Sequence, residues 1–264
     1  MIEPFGKAEK VCTLAVYFHA VDDFPLIIAA NRDEHYDRPS APPSLLDTTP
    51  QIISGRDLRA GGTWLGFNER GLVVAILNRH ITDETSLLPA ARSRGALCMD
   101  LLMQNSAADA TDFLRDHRIR YNPFTVLFAE PDAAYVAHNE GRVIFSQKLD
   151  AGLHVFSSAA DFELHSSKAR RAEALFAGIK DRMPQLGCDL PRAIGALQAV
   201  LADHSLPAGS TNPGDAICVH RETSGTVSSS ILFFSPLRSR FESYYCEGAP
   251  CRNVFGDPLG LDVS

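Results

Sequence analysis

The order of β-rich and helical runs constrains this chain more than any single motif in it. β-branched and aromatic residues fill 13–19 and 25–30, with the acidic turn Val21-Asp22-Asp23 between them, the pattern of a hairpin or of neighbouring sheet strands. Residues 52–53, 62–66 and 72–77 read as further strands. The last two are joined by Phe67-Asn68-Glu69-Arg70-Gly71, whose Asn and Gly suit a tight turn. The period then changes. Leu97, Leu101 and Leu102, followed by Ala110, Phe113 and Leu114, recur at helical spacing and predict helices over 90–104 and 107–117. Short strand-like runs return at 124–129, 134–138, 143–146 and 153–156. Two more helices follow at 167–180 and 190–203, the second with Pro191 in its first turn, and strands at 216–219 and 227–234 come last. Strand block, helix pair, strand block, helix pair, strands is not the βαβ alternation of a doubly wound fold. It predicts an α+β fold of two mixed or antiparallel sheets packed together, with helices outside.

Between the first strands and the rest, 31–50 is dense in Asp, Ser, Thr and Pro. Pro39, Pro42, Pro43 and Pro50 speak against both helix and central strand, so a long loop is expected there. With 264 residues, 45% of them apolar, the chain can bury a full two-layer core, and one domain over 12–264 is the expectation. Residues 1–11 carry Lys7 and Lys10 but lack the apolar core of a secretory signal, so they do not read as one. The tail from Tyr244 onward shows no assignable pattern.

Several function classes are disfavoured. The net charge of −7 arises from acids and bases mixed throughout, leaving no basic stripe for nucleic acid. No run approaches the ~20 apolar residues of an integral membrane segment. The six cysteines include no CxxC pair and the histidines no ligand spacing, so neither a metal nor any other cofactor is expected. GxSxG, HExxH, P-loop and GxGxxG patterns are absent. Free thiols and a cytoplasmic location are the expectation.

What remains collects at strand ends. Cys12 opens the first strand, and Asn31-Arg32-Asp33-Glu34 ends the second. Gly61-Gly62-Thr63-Trp64-Leu65-Gly66 holds the single Trp, and Asn78 stands where the apolar run 72–77 stops. Taken one at a time these are a buried cysteine, a turn, a bulged strand and a turn asparagine. Together, Cys12-Thr13, Ala29 to Glu34 with Tyr36 and Arg38-Pro39, Gly61 to Gly66, Asn68 to Asn78 and Ser93-Arg94-Gly95 resemble the NRDE family, that is, the transport and Golgi organisation protein 2 family. The likeness is specific over about residues 12–100.

That resemblance implies the αββα four-layer sandwich of N-terminal-nucleophile hydrolases, and the stretch Asn68 to Asn78 is similar to one in bile-salt hydrolases and penicillin V acylases that supplies an oxyanion donor. In such enzymes the nucleophilic Cys is the first residue of the mature chain, because its own α-amine takes the thiol proton. Cys12 would therefore need Val11 removed, by self-cleavage or by a start at codon 11, so the resemblance implies that residues 1–11 are a leader or a mis-annotated start. On this pattern Arg32 stabilises the thiolate or binds a carboxylate, Asp33 holds the α-ammonium, and Asn78 binds the oxyanion. Asn31, Glu34, Trp64 and Ser158 are the expected substrate contacts. The chain departs from the pattern at Ser158, where relatives carry Asn, and at Gly225-Thr226-Val227, where they carry an Arg. The expected activity is hydrolysis of an amide or thioester in a small acylated substrate. The alternative implied by eukaryotic relatives is a non-catalytic carrier of haem, acyl-CoA or a lipid-like ligand on the same fold.

Overall fold

Residues 12–79, 88, 91–116, 120–139, 143–158, 167–180 and 189–264 are described by a computed structural model. The expected leader 1–11, His80, and the outer ends of the helices predicted at 90 and 117 lie outside them. The first sheet grows from β1 (Thr13–Val21) and β2 (Phe24–His35), paired antiparallel from Thr13 opposite Asn31. Its order is β10-β1-β2-β11-β12-β13, with β10 at Gly152–Ser157, β11 at Ser224–Ser235, β12 at Arg240–Glu247 and β13 at Leu259–Asp262. The second sheet runs β3 to β9 in chain order: Ser40–Leu46, Ile52–Asp57, Leu65–Asn68, Val73–Asn78, Phe124–Glu130, Ala133–Asn139 and Ile144–Lys148. Every pairing between these strands is antiparallel.

Strand periodicity explains the layers. Leu14, Val16 and Phe18 face one way from β1 and meet Val73, Ala75 and Leu127 of the other sheet, whereas Ala15 and Tyr17 face the opposite way. That outer face is covered by α3 (Ser167–Lys180) and α4 (Leu190–Leu201) through Ala172, Phe176, Leu197 and Leu201. Helices α1 (Arg94–Leu102) and α2 (Ala107–Asp116) cover the second sheet in the same way, with Leu97, Leu101, Ala110 and Leu114 against Val74, Ile76, Val126 and Phe128. Both faces of the central strands are thus dry, which is why they read as near-continuous apolar runs. Each large side chain buried this way contributes about 1.5–3 kcal/mol. The result is a helix–sheet–sheet–helix sandwich, as expected. Among the described residues no helix is long and apolar enough to cross a membrane.

Four expectations need correction. The stretch 31–50 is not one loop: β2 continues to His35, and Ser40–Leu46 forms β3. Pro42 and Pro43 are accommodated because β3 is an edge strand whose register shifts between Ala41 and Ser44. The strand expected at 62–66 begins only at Leu65, because Gly62 lies against the backbone of Gly95 and Ala96 at the start of α1, where a Cβ would collide. The run 216–219 is irregular, tied to β11 by a single bridge between His220 and Gly225. The unassigned tail supplies part of β12 and all of β13.

Candidate active site

Cys12 precedes β1 by one residue, and its carbonyl accepts the N–H of Ser158 at 3.2 Å. Pairing with β2 then sets its sulfur against Asp33. The Asp33 N–H donates to Cys12 Sγ at 3.3 Å, and the thiol lies 3.6 Å from the Asp33 carbonyl, to which it donates. Burial pushes this thiol up to about 11, and the Asp33 charge adds to the rise. The Asp33 N–H, Lys168 and Arg32 oppose it without prevailing. With a peptide bond at its nitrogen, Cys12 is a protonated thiol at neutral pH.

Alternation along β2 splits the Asn31-Arg32-Asp33-Glu34 segment between two faces. Asn31 and Asp33 project toward the α3/α4 layer. The Asn31 amide donates to the carbonyls of Leu201 and Ile217 at 2.8 and 2.9 Å, and its oxygen accepts from Ser229 Oγ at 2.6 Å, so Asn31 fastens the strand rather than reaching a ligand. Asp33 accepts from Thr226 Oγ1 at 2.6 Å and from Lys168 Nζ at 3.1 Å, with both partners of the ion pair 2% exposed. Arg32 and Glu34 project toward the second sheet. The Arg32 guanidinium stacks 4.4 Å from the centre of the Trp64 ring and reaches Asp57 at 3.3 Å through Nη2, while its buried Nη1 has no hydrogen-bond partner among the described residues. Asp57 also accepts from Arg38 Nε at 2.7 Å. Burial alone would raise the Asp57 carboxyl, but Arg38 and the N–H groups of Ala60 and Arg59 hold it below its ordinary value.

These groups surround a cavity of about 250 Å³ whose wall includes Cys12, Arg32, Asp33, Glu34, Trp64 and Asn78. Six of the eight residues singled out in the sequence therefore converge. Asn78, at the end of β6, is exposed there. Asn31 is turned away, and Ser158 supports Cys12 through its backbone; its buried hydroxyl has no partner among the described residues. Asn68, at the far end of the same β5–β6 hairpin, organises the turn instead: its carbonyl oxygen accepts from Arg70 and Leu72 and its amide donates to Leu102. Arg38, Arg92 and Arg94 add positive charge to the wall, and the first residues of α1 open onto it.

Lys168 and Asp57 had no signal in the sequence, because only the tertiary fold brings α3 and β4 to β2. Thr226 was visible as part of a stretch lacking the relatives' Arg, yet it is the residue that holds Asp33. Among the described residues this is the site that joins a nucleophile to buried charge.

Comparison with known proteins bears on the family and the fold. The family model Transport and Golgi organisation 2 matches residues 11–239. The Transport and Golgi organization 2 homolog of Mus musculus is 36% identical over 113 residues, which is 40% of this chain and 39% of that protein. The Homo sapiens homolog is 34% identical over 117 residues, 42% of this chain and 41% of that one. These matches thus span about two fifths of the curated relatives' length. Among solved structures, the N-acylethanolamine-hydrolyzing acid amidase ortholog of Caenorhabditis elegans superposes with a TM-score of 0.55 at 14% identity, covering 84% of this chain and 92% of that one. A variant of conjugated bile acid hydrolase from Clostridium perfringens gives 0.55 at 11% identity, covering 96% and 98%. At such identities the likeness speaks for the fold, two antiparallel sheets between helix layers as in N-terminal-nucleophile hydrolases. With a family model matched over most of its length and that architecture beneath it, the chain belongs to the Transport and Golgi organisation 2 family.

Proposed function

We propose that this chain is a cysteine hydrolase of the N-terminal-nucleophile type, cleaving the amide or thioester of a small acylated substrate once the residues before Cys12 are removed. The observation that carries this reading is the thiol of Cys12 on the wall of a charged cavity, fixed by Asp33 and faced by Arg32. Removal of Val11 frees an α-amine beside the sulfur, with a pKa of about 7.7–8.0. The amine takes the thiol proton as Sγ bonds to the substrate carbonyl carbon, and Asn78 donates to the oxygen that becomes negative. Collapse of that intermediate breaks the bond to the leaving nitrogen or sulfur, which takes the proton back. Water, deprotonated by the same amine, then releases the carboxylic acid and restores the thiol. Asp33, anchored by Lys168 and Thr226, holds the ammonium between these transfers.

The substrate reading draws on the wall itself. Arg32 has an unpartnered buried Nη1, and Arg38, Arg92 and Arg94 stand nearby, so a substrate bearing a carboxylate or phosphate suits the cavity. The amidase and hydrolase named among the fold neighbours act, by their titles, on N-acylethanolamines and conjugated bile acids, which fits acyl transfer from nitrogen. One observation favours the carrier reading instead: in the chain with residues before Cys12 attached, the thiol at about 11 offers no nucleophile. The same charged wall disfavours a wholly apolar lipid as its occupant.

The test is intact mass and N-terminal sequencing of protein from its native host, followed by assay of the processed form against anionic N-acyl amides and thioesters. A chain beginning at Cys12 that forms a hydroxylamine-labile acyl adduct, lost in Cys12→Ala, supports the proposal. In that form Asn78→Ala lowers kcat by about 10²–10³. A native chain still carrying residues 1–11 refutes the amine mechanism.

A further inference from the structure

Behind Asp33, on the side away from the cavity, four residues from three separate segments meet. Cys218 Sγ lies 3.7 Å from Cys251 Sγ and 3.7 Å from His220 Nε2, and His220 Nε2 lies 3.3 Å from Cys251 Sγ. His204 completes the group, with one ligand atom from each of the four within 4.8 Å of all the others. For zinc bonded to sulfur at about 2.3 Å and to nitrogen at about 2.0–2.1 Å, a tetrahedron has edges of about 3.8 Å between sulfurs and about 3.6 Å between sulfur and nitrogen. The three separations lie within about 0.3 Å of those edges, two just inside and one just outside.

The orientation of His204 bears on the same question. Its Nδ1 is 3.0 Å from the carbonyl oxygen of Cys218, which can only accept. The proton therefore sits on Nδ1, and the lone pair is on Nε2. A metal-ligating histidine is ordinarily fixed in this way, its second ring nitrogen donating to a backbone carbonyl. Here the carbonyl belongs to another member of the group.

We propose that His204, Cys218, His220 and Cys251 form a structural Cys2His2 site for zinc or a similarly soft divalent cation. Binding releases the two thiol protons and makes four metal–ligand bonds, which closes the coordination sphere and leaves no open position for substrate. The site joins the segment after α4, the irregular run before β11 and the turn after β12. That last turn is already clamped to α4 by Gln198, which donates to the carbonyls of Pro250 and Asn253.

The placement gives the metal a task. Val219, between two of the ligands, donates its N–H to Thr226 Oγ1 at 2.9 Å and accepts the Thr226 N–H at 2.9 Å. Thr226 Oγ1 in turn donates to Asp33 at 2.6 Å. The cation would hold the Val219 peptide, and through Thr226 the carboxylate beside Cys12.

The test uses the full chain, purified under reducing conditions without chelator or affinity metal. Elemental analysis should find about one zinc per chain. Exchange for cobalt should give the visible bands of tetrahedral Co²⁺ with thiolate-to-metal charge transfer in the near ultraviolet. Cys251→Ser and His204→Ala, both at the surface, should lose the metal and these bands while keeping the far-ultraviolet circular dichroism. Cys12→Ala should keep both, which separates this site from the nucleophile. Absence of metal in wild type even after zinc is supplied, or cobalt spectra unchanged in Cys251→Ser, overturns the proposal. A wild-type mass two hydrogens low, with Cys218 and Cys251 joined in peptide mapping, overturns it in favour of a disulfide.

Discussion

Replacing Lys168 by Met tests how the candidate site is held. Lys168 and Asp33 form an ion pair at 3.1 Å with both side chains 2% exposed, and it ties α3 to the carboxylate beside Cys12. Methionine fills most of the same volume without charge, so the main effect is to leave Asp33 buried against Thr226 without its counter-ion. Breaking a buried pair from one side costs about 3–5 kcal/mol. For a chain of this size each kcal/mol lowers Tm by about 2–4 °C, which places the loss at about 6–20 °C. The companion is Lys168→Met with Asp33→Asn, in which the neutral amide still accepts from Thr226. Denaturant unfolding of all four proteins gives a double-mutant cycle, and the double variant should regain at least about 2 kcal/mol over Lys168→Met. A single-variant loss under about 1 kcal/mol, with purely additive behaviour in the double, would refute the claim that this pair organises the site.

Alkylation of Cys12 by iodoacetamide in the chain carrying residues 1–11 should be slow at neutral pH and rise steeply toward pH 11, because burial keeps the thiol protonated; a rate already at its plateau by pH 8 counts against that environment. His138, on β8, is pushed down to about 4 by burial and by the nearby Arg79 charge, so the fold resists its protonation. Stability should accordingly fall as pH drops from about 6.5 to 4, by no more than about 2 kcal/mol after allowance for solvent screening. His138→Gln should flatten that slope in urea titrations, and an unchanged slope would mean that other groups cause it. Gly62→Ala should cost about 3 kcal/mol or more, since its Cβ would overlap the backbone at Gly95 and Ala96. Gly61→Ala meets no neighbouring atom, but φ is +77° there, and it should lose only about 1–2 kcal/mol; equal losses in thermal melts would contradict the contact.

The layers were legible in the sequence because the central strands are dry on both faces and the helices carry one apolar stripe each. The run Ser167–Lys180 is helical throughout as read, and β1, β6 and β7 were read within one or two residues. Where local reading failed, tertiary context had overridden it. Pro42 and Pro43 read as loop, yet an edge strand with a shifted register tolerates them. Gly62 to Thr63 read as strand, yet the close approach of α1 bends the chain away from the ladder. Cys12, Arg32, Asp33, Glu34, Trp64 and Asn78 could be picked out because they belong to the stretches that resemble the NRDE family; position at or near strand ends alone left each with an ordinary structural reading. Lys168, Asp57 and the Cys218 group could not. Their partners lie tens to more than a hundred residues away, and His204 and Cys251 stand 14 and 33 positions from Cys218, outside any short motif.

The seam between the two sheets is fastened differently at its two ends. Near Cys12 it is ionic, with Arg32 of one sheet on Asp57 of the other at 3.3 Å; at the opposite end Phe67 faces Phe241 across the seam with ring centres 5.4 Å apart. Apolar contact weakens on cooling, whereas the desolvation penalty of an ion pair shrinks on heating. Both contacts therefore lose strength in the cold, but on heating apolar stabilisation levels off while the ionic contact goes on gaining, so the cavity end of the seam carries a growing share of the contact between the sheets as temperature rises.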